Sequence, residues 1–261
     1  MTVAYSAPLS AALSELLDSV PETSPVLADE VRYERDGVGF GGLLAKPEDT
    51  ASRPGVLVVH DWSGLNDHTR VRAQMLARLG YIALAADVYG DGRLFGPEEA
   101  GAQSGRYYSD PDLFRRRMAA NLDRLRAEPG VDPDRIAVIG YCFGGSAALE
   151  AARSGEALAG AVSFHGRLDT ARPAEKGAIV APLLVLTGAA DPFVPDQAVV
   201  GLEDELRAAE APDWQVVSYS DAMHAFAMPD AASPEHGAAF QTTANARSWT
   251  AMRAFFDEIF A

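Results

Sequence analysis

Short apolar runs and amphipathic segments alternate along this chain of 261 residues. Residues 55–60 are almost continuously apolar, which is typical of a strand buried on both faces of a sheet. Residues 67–79 place apolar side chains at helical spacing, and Gly80 follows as a helix stop. Because this order of strand and helix recurs to the end of the chain, we expect an α/β fold with a mostly parallel central sheet and helices on both faces.

The remaining apolar segments extend the same pattern. Residues 31–35 and 40–46 predict an opening hairpin that turns at Asp36-Gly37. Further buried strands are predicted at residues 81–88, 136–139, 159–164, 182–187 and 214–219. Further helices are predicted at residues 110–127, 144–153, 196–209 and 238–260. In such a sheet the reactive loops lie at the carboxyl ends of the strands.

Two segments fall outside this alternation. The apolar residues between positions 9 and 20 share one helical face. We therefore expect residues 1–30 to form a helical extension and residues 31–261 to form a single domain. Residues 89–109 are rich in glycine and predict a long loop, which is either a cap over the pocket or a surface excursion.

Composition narrows the range of functions and partners. An apolar content of 48% suits one domain with a large core, and a single cysteine excludes an intramolecular disulfide. Acidic residues outnumber basic ones by 37 to 22, which argues against nucleic acid or an anionic membrane as a partner. The first twenty residues lack the basic start of a signal peptide, and no apolar run has the length of a membrane span. A cytoplasmic location is therefore the default expectation.

The single cysteine occupies the junction between a predicted strand and a predicted helix. The sequence Gly140-Tyr141-Cys142-Phe143-Gly144 matches a nucleophile elbow in which sulfur replaces the usual serine oxygen. Glycines on both sides allow the sharp turn, and the N-terminus of the following helix favours a thiolate and a nearby oxyanion. A lone cysteine is more often a buried structural thiol, but this context favours a nucleophile.

A thiol nucleophile needs a base, and five histidines compete for that role. His224 follows the last predicted strand and precedes the last helix, where the elbow architecture has its histidine. His60 is interpreted as an interior imidazole, and His68 as an exposed helix residue. His165 is expected to line the pocket, and His236 to lie in a loop. His224 is therefore the preferred base.

The acid that orients the histidine is predicted at Asp191, directly after a buried strand. This choice gives the chain order nucleophile, acid, histidine that the elbow architecture expects. The alternative interpretation of Asp191 is an ordinary loop aspartate in an Asx-turn. Asp196 could instead cap the next helix, and Asp221 lies too near His224 in sequence for a favourable loop-to-loop hydrogen bond.

Two backbone N–H groups are expected to hold the oxyanion. Phe143 follows the nucleophile, and Trp62 lies in the loop after residues 55–60. Such donors each contribute about 3 kcal/mol of transition-state stabilisation. No cofactor or metal is expected, because the candidate ligands near this loop match no familiar spacing. Those candidates are His60, Asp61, Asp67 and His68.

With these residues assembled, the chain resembles the dienelactone hydrolase family of α/β-hydrolases, from about residue 31 to the C-terminus. The resemblance rests on five segments: His60-Asp61-Trp62-Ser63-Gly64-Leu65-Asn66, Ala86-Asp87-Val88-Tyr89-Gly90, Gly140-Tyr141-Cys142-Phe143-Gly144-Gly145, Gly188-Ala189-Ala190-Asp191 and Met223-His224-Ala225-Phe226. It implies an α/β-hydrolase fold and triad roles for Cys142, Asp191 and His224. It also implies a contact between Asp61 and the resting thiol, since the family has an acidic residue there, usually a glutamate, that releases the thiol when substrate binds. The alternative interpretation of Asp61 is a loop aspartate that bonds backbone N–H groups.

Two departures from the family concern substrate recognition. Met228 stands where the best-known members hold a substrate carboxylate with an arginine. Phe164-His165, before Gly166, stands where they have a tyrosine pair. A methionine cannot pair with a carboxylate, so Arg70, Arg106 or Arg167 would have to substitute. The expected pocket residues, Trp62, Phe143, Met228 and Tyr107, suit a neutral, partly apolar ester or lactone.

The preferred hypothesis is therefore a hydrolase that cleaves small carboxylic esters or lactones through a Cys-His-Asp triad and a thioester intermediate. Thioesterase, acyltransferase or peptidase activity on the same triad is the alternative. A third hypothesis is a non-enzymatic binding or redox-sensing protein that presents a thiol. The sequence leaves open whether the protein is a monomer or a small homo-oligomer.

Overall fold

The computed structural model describes residues 8–261, in which eight strands form one sheet. They are β1 (Val26–Arg35), β2 (Val38–Pro47), β3 (Arg53–Val59), β4 (Ile82–Ala86), β5 (Val131–Tyr141), β6 (Gly160–Phe164), β7 (Leu183–Gly188) and β8 (Trp214–Tyr219). The spatial order is β1-β2-β4-β3-β5-β6-β7-β8. Pairing is antiparallel from β1 to β4 and parallel from β4 to β8. The predicted α/β-hydrolase architecture is confirmed.

Seven helices surround the sheet in the described part of the chain. They are α1 (Ala11–Asp18), α2 (Asp67–Arg78), α3 (Pro97–Ser109), α4 (Pro111–Arg126), α5 (Phe143–Arg153), α6 (Asp196–Ala208) and α7 (Thr242–Ile259). Alternate residues of each central strand pack into two separate cores, as a pleated strand requires. Val56 and Val58 of β3 join α1, α2 and α7 on one face, whereas Leu57 and Val59 join α3 to α6 on the other.

Local chemistry sets the helix starts that border the site. The side chain of Asn66 caps α2 by accepting the Thr69 N–H, and Asp110 caps α4 by accepting the Leu113 N–H. Pro111 follows at the first helical position, where its missing N–H costs nothing. The first cap fixes where the loop after β3 ends, at the carboxyl edge of the sheet, and the second separates α4 from α3.

The structure corrects the prediction for residues 89–109, because residues 97–109 form α3 rather than a long loop. Its glycines lower helix propensity, but Ala100 and Tyr107 bury one face against the core, and this packing outweighs the propensity. The final helix was also predicted too early. Ala238–Ala239 is a short strand, β10, which pairs with β9 (Ala232–Ser233) and also bonds the backbone of His224.

The predicted N-terminal helix exists as α1, and Leu13 and Leu16 are buried. It packs on α2, where Arg78 donates to the carbonyl oxygens of Leu17 and Val20 at 2.7 and 2.8 Å. Strand β1 begins at Val26, five residues before the predicted boundary of the domain. The division into an extension at residues 1–30 and a domain at 31–261 stays a prediction. Residues 1–7 lie outside the described residues, and none of the described helices is long and apolar enough to cross a membrane.

Candidate active site

The nucleophile elbow lies at the carboxyl end of β5, where Cys142 joins this strand to α5. Cys142 has φ 56° and ψ −115°, a strained conformation for a residue with a side chain. The flanking glycines make the close approach possible. A Cβ at Gly140 would lie 2.0 Å from the Gly144 carbonyl oxygen, and one at Gly144 would lie 2.3 Å from that of Val59. The turn therefore presents the sulfur at the N-terminus of α5.

Three loops bring the predicted triad residues together. His224 Nε2 lies 3.1 Å from Cys142 Sγ, and His224 Nδ1 lies 2.8 Å from Asp191 Oδ2. The other carboxylate oxygen of Asp191 accepts the Phe193 N–H at 2.8 Å, which fixes the carboxylate. This arrangement can keep the proton on Nδ1 and direct the unprotonated Nε2 at the sulfur. A base that takes the proton of a thiol needs this tautomer and orientation.

The charges around His224 favour its protonated form. Burial lowers the pKa of His224, but the negative charge of the Cys142 sulfur and the hydrogen bond to Asp191 outweigh burial and raise it to about 10. The imidazole therefore lies between the Asp191 carboxylate and the Cys142 sulfur, which stabilises a positive charge on the ring once the thiol has lost its proton.

The two predicted oxyanion donors flank the elbow. Phe143 is the first residue of α5, so its N–H has no acceptor within the helix. Its side chain is buried and stacks on Phe114, with ring centroids 4.6 Å apart. Trp62 lies in the loop after β3, the strand beside β5, and its carbonyl oxygen accepts the Tyr89 hydroxyl at 2.9 Å. Their role as donors to an oxyanion stays a prediction.

The carboxylate of Asp61 is bonded within its own loop. Its Oδ1 accepts the N–H and the hydroxyl of Ser63 at 2.7 and 2.6 Å, and its Oδ2 accepts the Asn66 amide at 2.7 Å. The sulfur of Cys142 is instead bonded to His224. The contact between Asp61 and the thiol, which the resemblance implied, is therefore not formed in this structure.

Three of the predicted pocket residues have buried side chains, and the first of them is Phe143, which is fully buried. Tyr107 is 2% exposed and donates to the carbonyl oxygen of Val88 at 3.1 Å, which makes it a core residue rather than a pocket residue. His165 is fully buried below the elbow and has no surface in a pocket. The helical phase of α3 turns the neighbouring Tyr108 toward the elbow instead. Burial, and then the charge of the Cys142 sulfur, raises the pKa of Tyr108.

Each arginine that was a candidate for binding a substrate carboxylate is bonded to another side chain. Arg70 pairs with Glu30, and Arg167 pairs with Asp169 through two contacts of 2.5 Å. Arg106 is exposed on α3, where it bonds Gln103 at 3.2 Å. Met228 is half-buried in a turn after His224. The residues predicted for charge recognition thus give no free cation beside the sulfur.

Phe193 is a site residue that the sequence analysis did not identify. Its ring stands at 78° to the His224 imidazole with centroids 5.2 Å apart, yet its side chain is 59% exposed. Trp62 is also exposed, at 41%. The sequence Asp191-Pro192-Phe193 could have indicated this position. The Asp191 carboxylate accepts the Phe193 N–H and so holds Phe193 near the triad.

The remaining three histidines are not part of the relay between Asp191 and Cys142. His60 is buried, donates through Nδ1 to the Asp61 carbonyl oxygen at 2.6 Å and accepts the Val88 N–H at 3.1 Å, as an interior imidazole does. His68 is buried too, contrary to the prediction that it is exposed. His236 is exposed beside Glu235. In residues 8–261 no group of three His, Cys, Asp or Glu side chains is placed to hold a metal ion.

A comparison with protein families fits this geometry. The sequence model of the dienelactone hydrolase family matches residues 40–260. This protein belongs to the dienelactone hydrolase family. As a member of that family it is a hydrolase.

Three relatives illustrate how close the family match is. The crystal structure of a dienelactone hydrolase-like promiscuous phosphotriesterase from metagenomic libraries is 41% identical, with a TM-score of 0.85, over 90% of this chain and 98% of that one. A structure named "m3DLH" is 42% identical, with a TM-score of 0.86, over 90% and 99%. A Salmonella typhimurium protein named "Putative carboxymethylenebutenolidase" is 30% identical over 79% of this chain and 84% of its own.

Proposed function

We propose that this dienelactone hydrolase family member hydrolyses carboxylic esters and lactones through a thioester on Cys142. The observation that carries the proposal is the unbroken relay from Asp191 through His224 to the Cys142 sulfur, at 2.8 and 3.1 Å. A binding or redox-sensing protein needs a thiol but not an imidazole and a carboxylate aligned with it. The relay therefore favours catalysis over the non-enzymatic hypothesis.

The first half of the reaction transfers the acyl group to sulfur. His224 Nε2 takes the thiol proton, and the thiolate attacks the carbonyl carbon, forming the C–S bond. The N–H groups of Phe143 and Trp62 are the proposed donors to the resulting oxyanion. When the tetrahedral intermediate collapses, the ester C–O bond breaks and the leaving alkoxide takes the proton from His224.

The second half returns the free enzyme. His224 takes a proton from water, the hydroxide attacks the thioester carbonyl, and the C–S bond breaks. The departing thiolate recovers the proton from His224. Throughout both halves Asp191 holds the imidazole in one orientation and stabilises its cationic form.

The surroundings of the sulfur favour a neutral substrate. The arginine candidates are paired or lie on the surface, whereas Trp62 and Phe193 expose aromatic rings at this edge. A carboxylate group on the substrate would have no identified cation to pair with, and its desolvation would oppose binding. Simple aryl esters and neutral lactones are therefore the proposed substrate class.

Phosphotriester hydrolysis is a second candidate function. It is favoured by the 41% identity to a relative that is described as a promiscuous phosphotriesterase. A phosphotriester is neutral, and the thiolate of Cys142 can attack phosphorus with loss of an alkoxide or aryloxide. The same donors that hold a carbonyl oxyanion would then hold the phosphoryl oxygen.

A substrate panel tests the proposal against its alternatives. Wild type should turn over p-nitrophenyl acetate and a simple lactone, and Cys142→Ala should reduce kcat by about 10³-fold or more. Equal rates for the two proteins would refute the cysteine mechanism. A clear preference for an acyl-CoA thioester would favour the thioesterase alternative. Turnover of a dialkyl p-nitrophenyl phosphate that needs Cys142 would establish the second candidate.

A cytoplasmic location and a monomeric or small homo-oligomeric state are the expectations that complete this proposal. Size-exclusion chromatography with light scattering measures the second directly. A large assembly would contradict it.

A further inference from the structure

His165 is a predicted pocket residue that the structure buries completely, at the carboxyl end of β6. Its Nδ1 lies 3.2 Å from the backbone nitrogen of Cys142, which also donates to the Phe164 carbonyl oxygen at 3.0 Å. The ring meets the His224 imidazole at 70° with centroids 5.2 Å apart. One side chain therefore touches both the nucleophile's backbone and the proposed base.

The hydrogen bond defines the tautomer of this imidazole. A backbone N–H always donates, so Nδ1 accepts and carries no proton. Burial, and then the positive charge of His224, lowers the pKa of His165 well below its usual range, so the ring is neutral and its proton is on Nε2. Among the described residues Nε2 has no hydrogen-bond partner. His165 thus leaves Nε2 without a hydrogen-bond partner, while its Nδ1 accepts the N–H of Cys142.

The backbone of His165 is strained as well. Its φ of 40° lies in the left-handed region, which side chains other than Asn, Asp and His enter rarely. The next residue, Gly166, lies so close to α5 that a Cβ there would be 2.6 Å from the carbonyl carbon of Gly145. Strain and an unsatisfied Nε2 at a buried position are both unfavourable, which indicates that the imidazole serves a purpose beyond filling space.

We propose that His165 is a positioning residue for the nucleophile: its neutral imidazole holds the strained Cys142 backbone through Nδ1. This second acceptor keeps the elbow in the one conformation that places Sγ on His224 Nε2. The inference rests on the proposed function, in which Cys142 attacks the substrate. His165 itself does not touch the reacting atoms and is therefore not a catalytic residue.

Two variants separate the acceptor from the ring. His165→Asn puts an oxygen near the position of Nδ1 and tolerates a left-handed backbone, but it removes the ring. His165→Phe keeps a ring of similar size and removes the acceptor, but it also disfavours the left-handed backbone. His165→Gly, which adopts that backbone without an acceptor, is therefore the control, and its kcat should fall at least as far as that of His165→Phe. We expect His165→Phe to lower kcat about tenfold with KM changed less than twofold, because small misplacements of a reacting atom are costly. We expect His165→Asn to recover at least a third of the wild-type kcat.

Thermal stability is measured for both variants, because each substitution changes a fully buried residue. A wild-type kcat in His165→Phe would overturn the proposal. So would a His165→Asn variant that is no better than His165→Phe, since packing would then explain both losses. Nitrogen-15 NMR of the wild type adds an independent readout. A protonated Nδ1, or titration of His165 between pH 6 and pH 9, would contradict the assigned tautomer.

A second measurement needs no substrate and so separates this inference from the proposed function. Iodoacetamide alkylates Cys142 by attack of sulfur on carbon with loss of iodide, and the rate is followed by mass spectrometry. We expect His165→Phe to be alkylated several times more slowly than wild type, and His165→Asn to react at nearly the wild-type rate. If wild type hydrolyses no ester but this pattern holds, the proposed function fails and the positioning role stands. Equal alkylation rates in all three proteins would overturn the positioning role.

Discussion

The ring of Phe193 stands edge-on to the imidazole of His224, with centroids 5.2 Å apart, while 59% of the Phe193 side chain faces solvent. A large apolar side chain this exposed, directly beside a reacting group, offers a surface to an apolar part of the substrate. We expect a substrate group that packs there to shield the relay from water as well.

We therefore predict that Phe193→Ala reduces selectivity for aryl over alkyl esters. Losing one aromatic contact should lower kcat/KM for a phenyl ester about tenfold and leave a methyl ester nearly unchanged, mainly through KM. Val200→Ala is the matched control, because Val200 is 56% exposed but lies on α6. Parallel losses for phenyl and methyl esters, or an equal effect of the control, would show that Phe193 does not contact substrate.

Adjacent tyrosines on α3 should behave differently. Tyr107→Phe removes a buried hydroxyl that donates to the Val88 carbonyl oxygen, so it should lower the free energy of unfolding by about 1 kcal/mol and leave kcat/KM within twofold. Both rings lie near Phe143, with centroids 5.5 Å away for Tyr107 and 5.8 Å for Tyr108, but of the two only Tyr108 has a pKa that responds to the Cys142 charge. Tyr108→Phe should lower kcat/KM for p-nitrophenyl acetate several-fold. Denaturation and kinetic measurements check both expectations. The prediction fails if Tyr107→Phe lowers kcat/KM several-fold while Tyr108→Phe lowers only the free energy of unfolding.

Asp61 should matter for its loop rather than for the thiol. Asp61→Asn places an amide N–H₂ near the Asn66 amide in place of an acceptor, which should destabilise the loop by about 1 kcal/mol. Because His224 and not Asp61 holds the sulfur, the rate at which iodoacetamide alkylates Cys142 should stay within twofold of wild type. A large acceleration would mean that this carboxylate restrains the resting thiol, as the family resemblance implied.

The pKa of His224 makes stability depend on pH. The pKa is raised in the folded state to about 10, from an ordinary 6.5, so the contribution of His224 is full below pH 6.5 and is lost as pH rises through about 10. His224→Gln removes this dependence. The difference in the free energy of unfolding between wild type and variant should therefore shrink from pH 6 to pH 10, as measured by urea denaturation. A difference that is constant or grows with pH would contradict the raised pKa.

The fold could be predicted largely because each central strand is buried on both faces and each helix carries an apolar stripe. Failures occurred where tertiary contacts outweigh local preference. The segment that forms α3 contains Gly101 and Gly105, which disfavour a helix. The buried contacts of Ala100 and Tyr107 offset this cost and add to the favourable helix start at Pro97. The start of α7 was misplaced because the partner of Ala238–Ala239, β9, is a strand of two residues and leaves no pattern in the sequence.

The site was predictable where its chemistry is local and not where it depends on orientation. Gly140 and Gly144 mark the elbow around Cys142. Chain order identified His224, which the structure places beside the sulfur, and Asp191, which it places beside His224. Whether a side chain points into the pocket or into the core depends on the phase of a helix or the path of a turn. Tyr107 was predicted to line the pocket but lies in the core. Phe193 was not predicted to lie at the site but contacts His224.

Mass spectrometry of the acyl-enzyme tests the central claim most directly. Wild type is mixed with excess p-nitrophenyl acetate, quenched in acid within milliseconds to seconds, and digested for peptide analysis. The account predicts one acetyl group on the peptide that contains Cys142, removed by hydroxylamine and absent in Cys142→Ala. Steady hydrolysis by wild type with no acylated cysteine, or with the acetyl group on another residue, would contradict it.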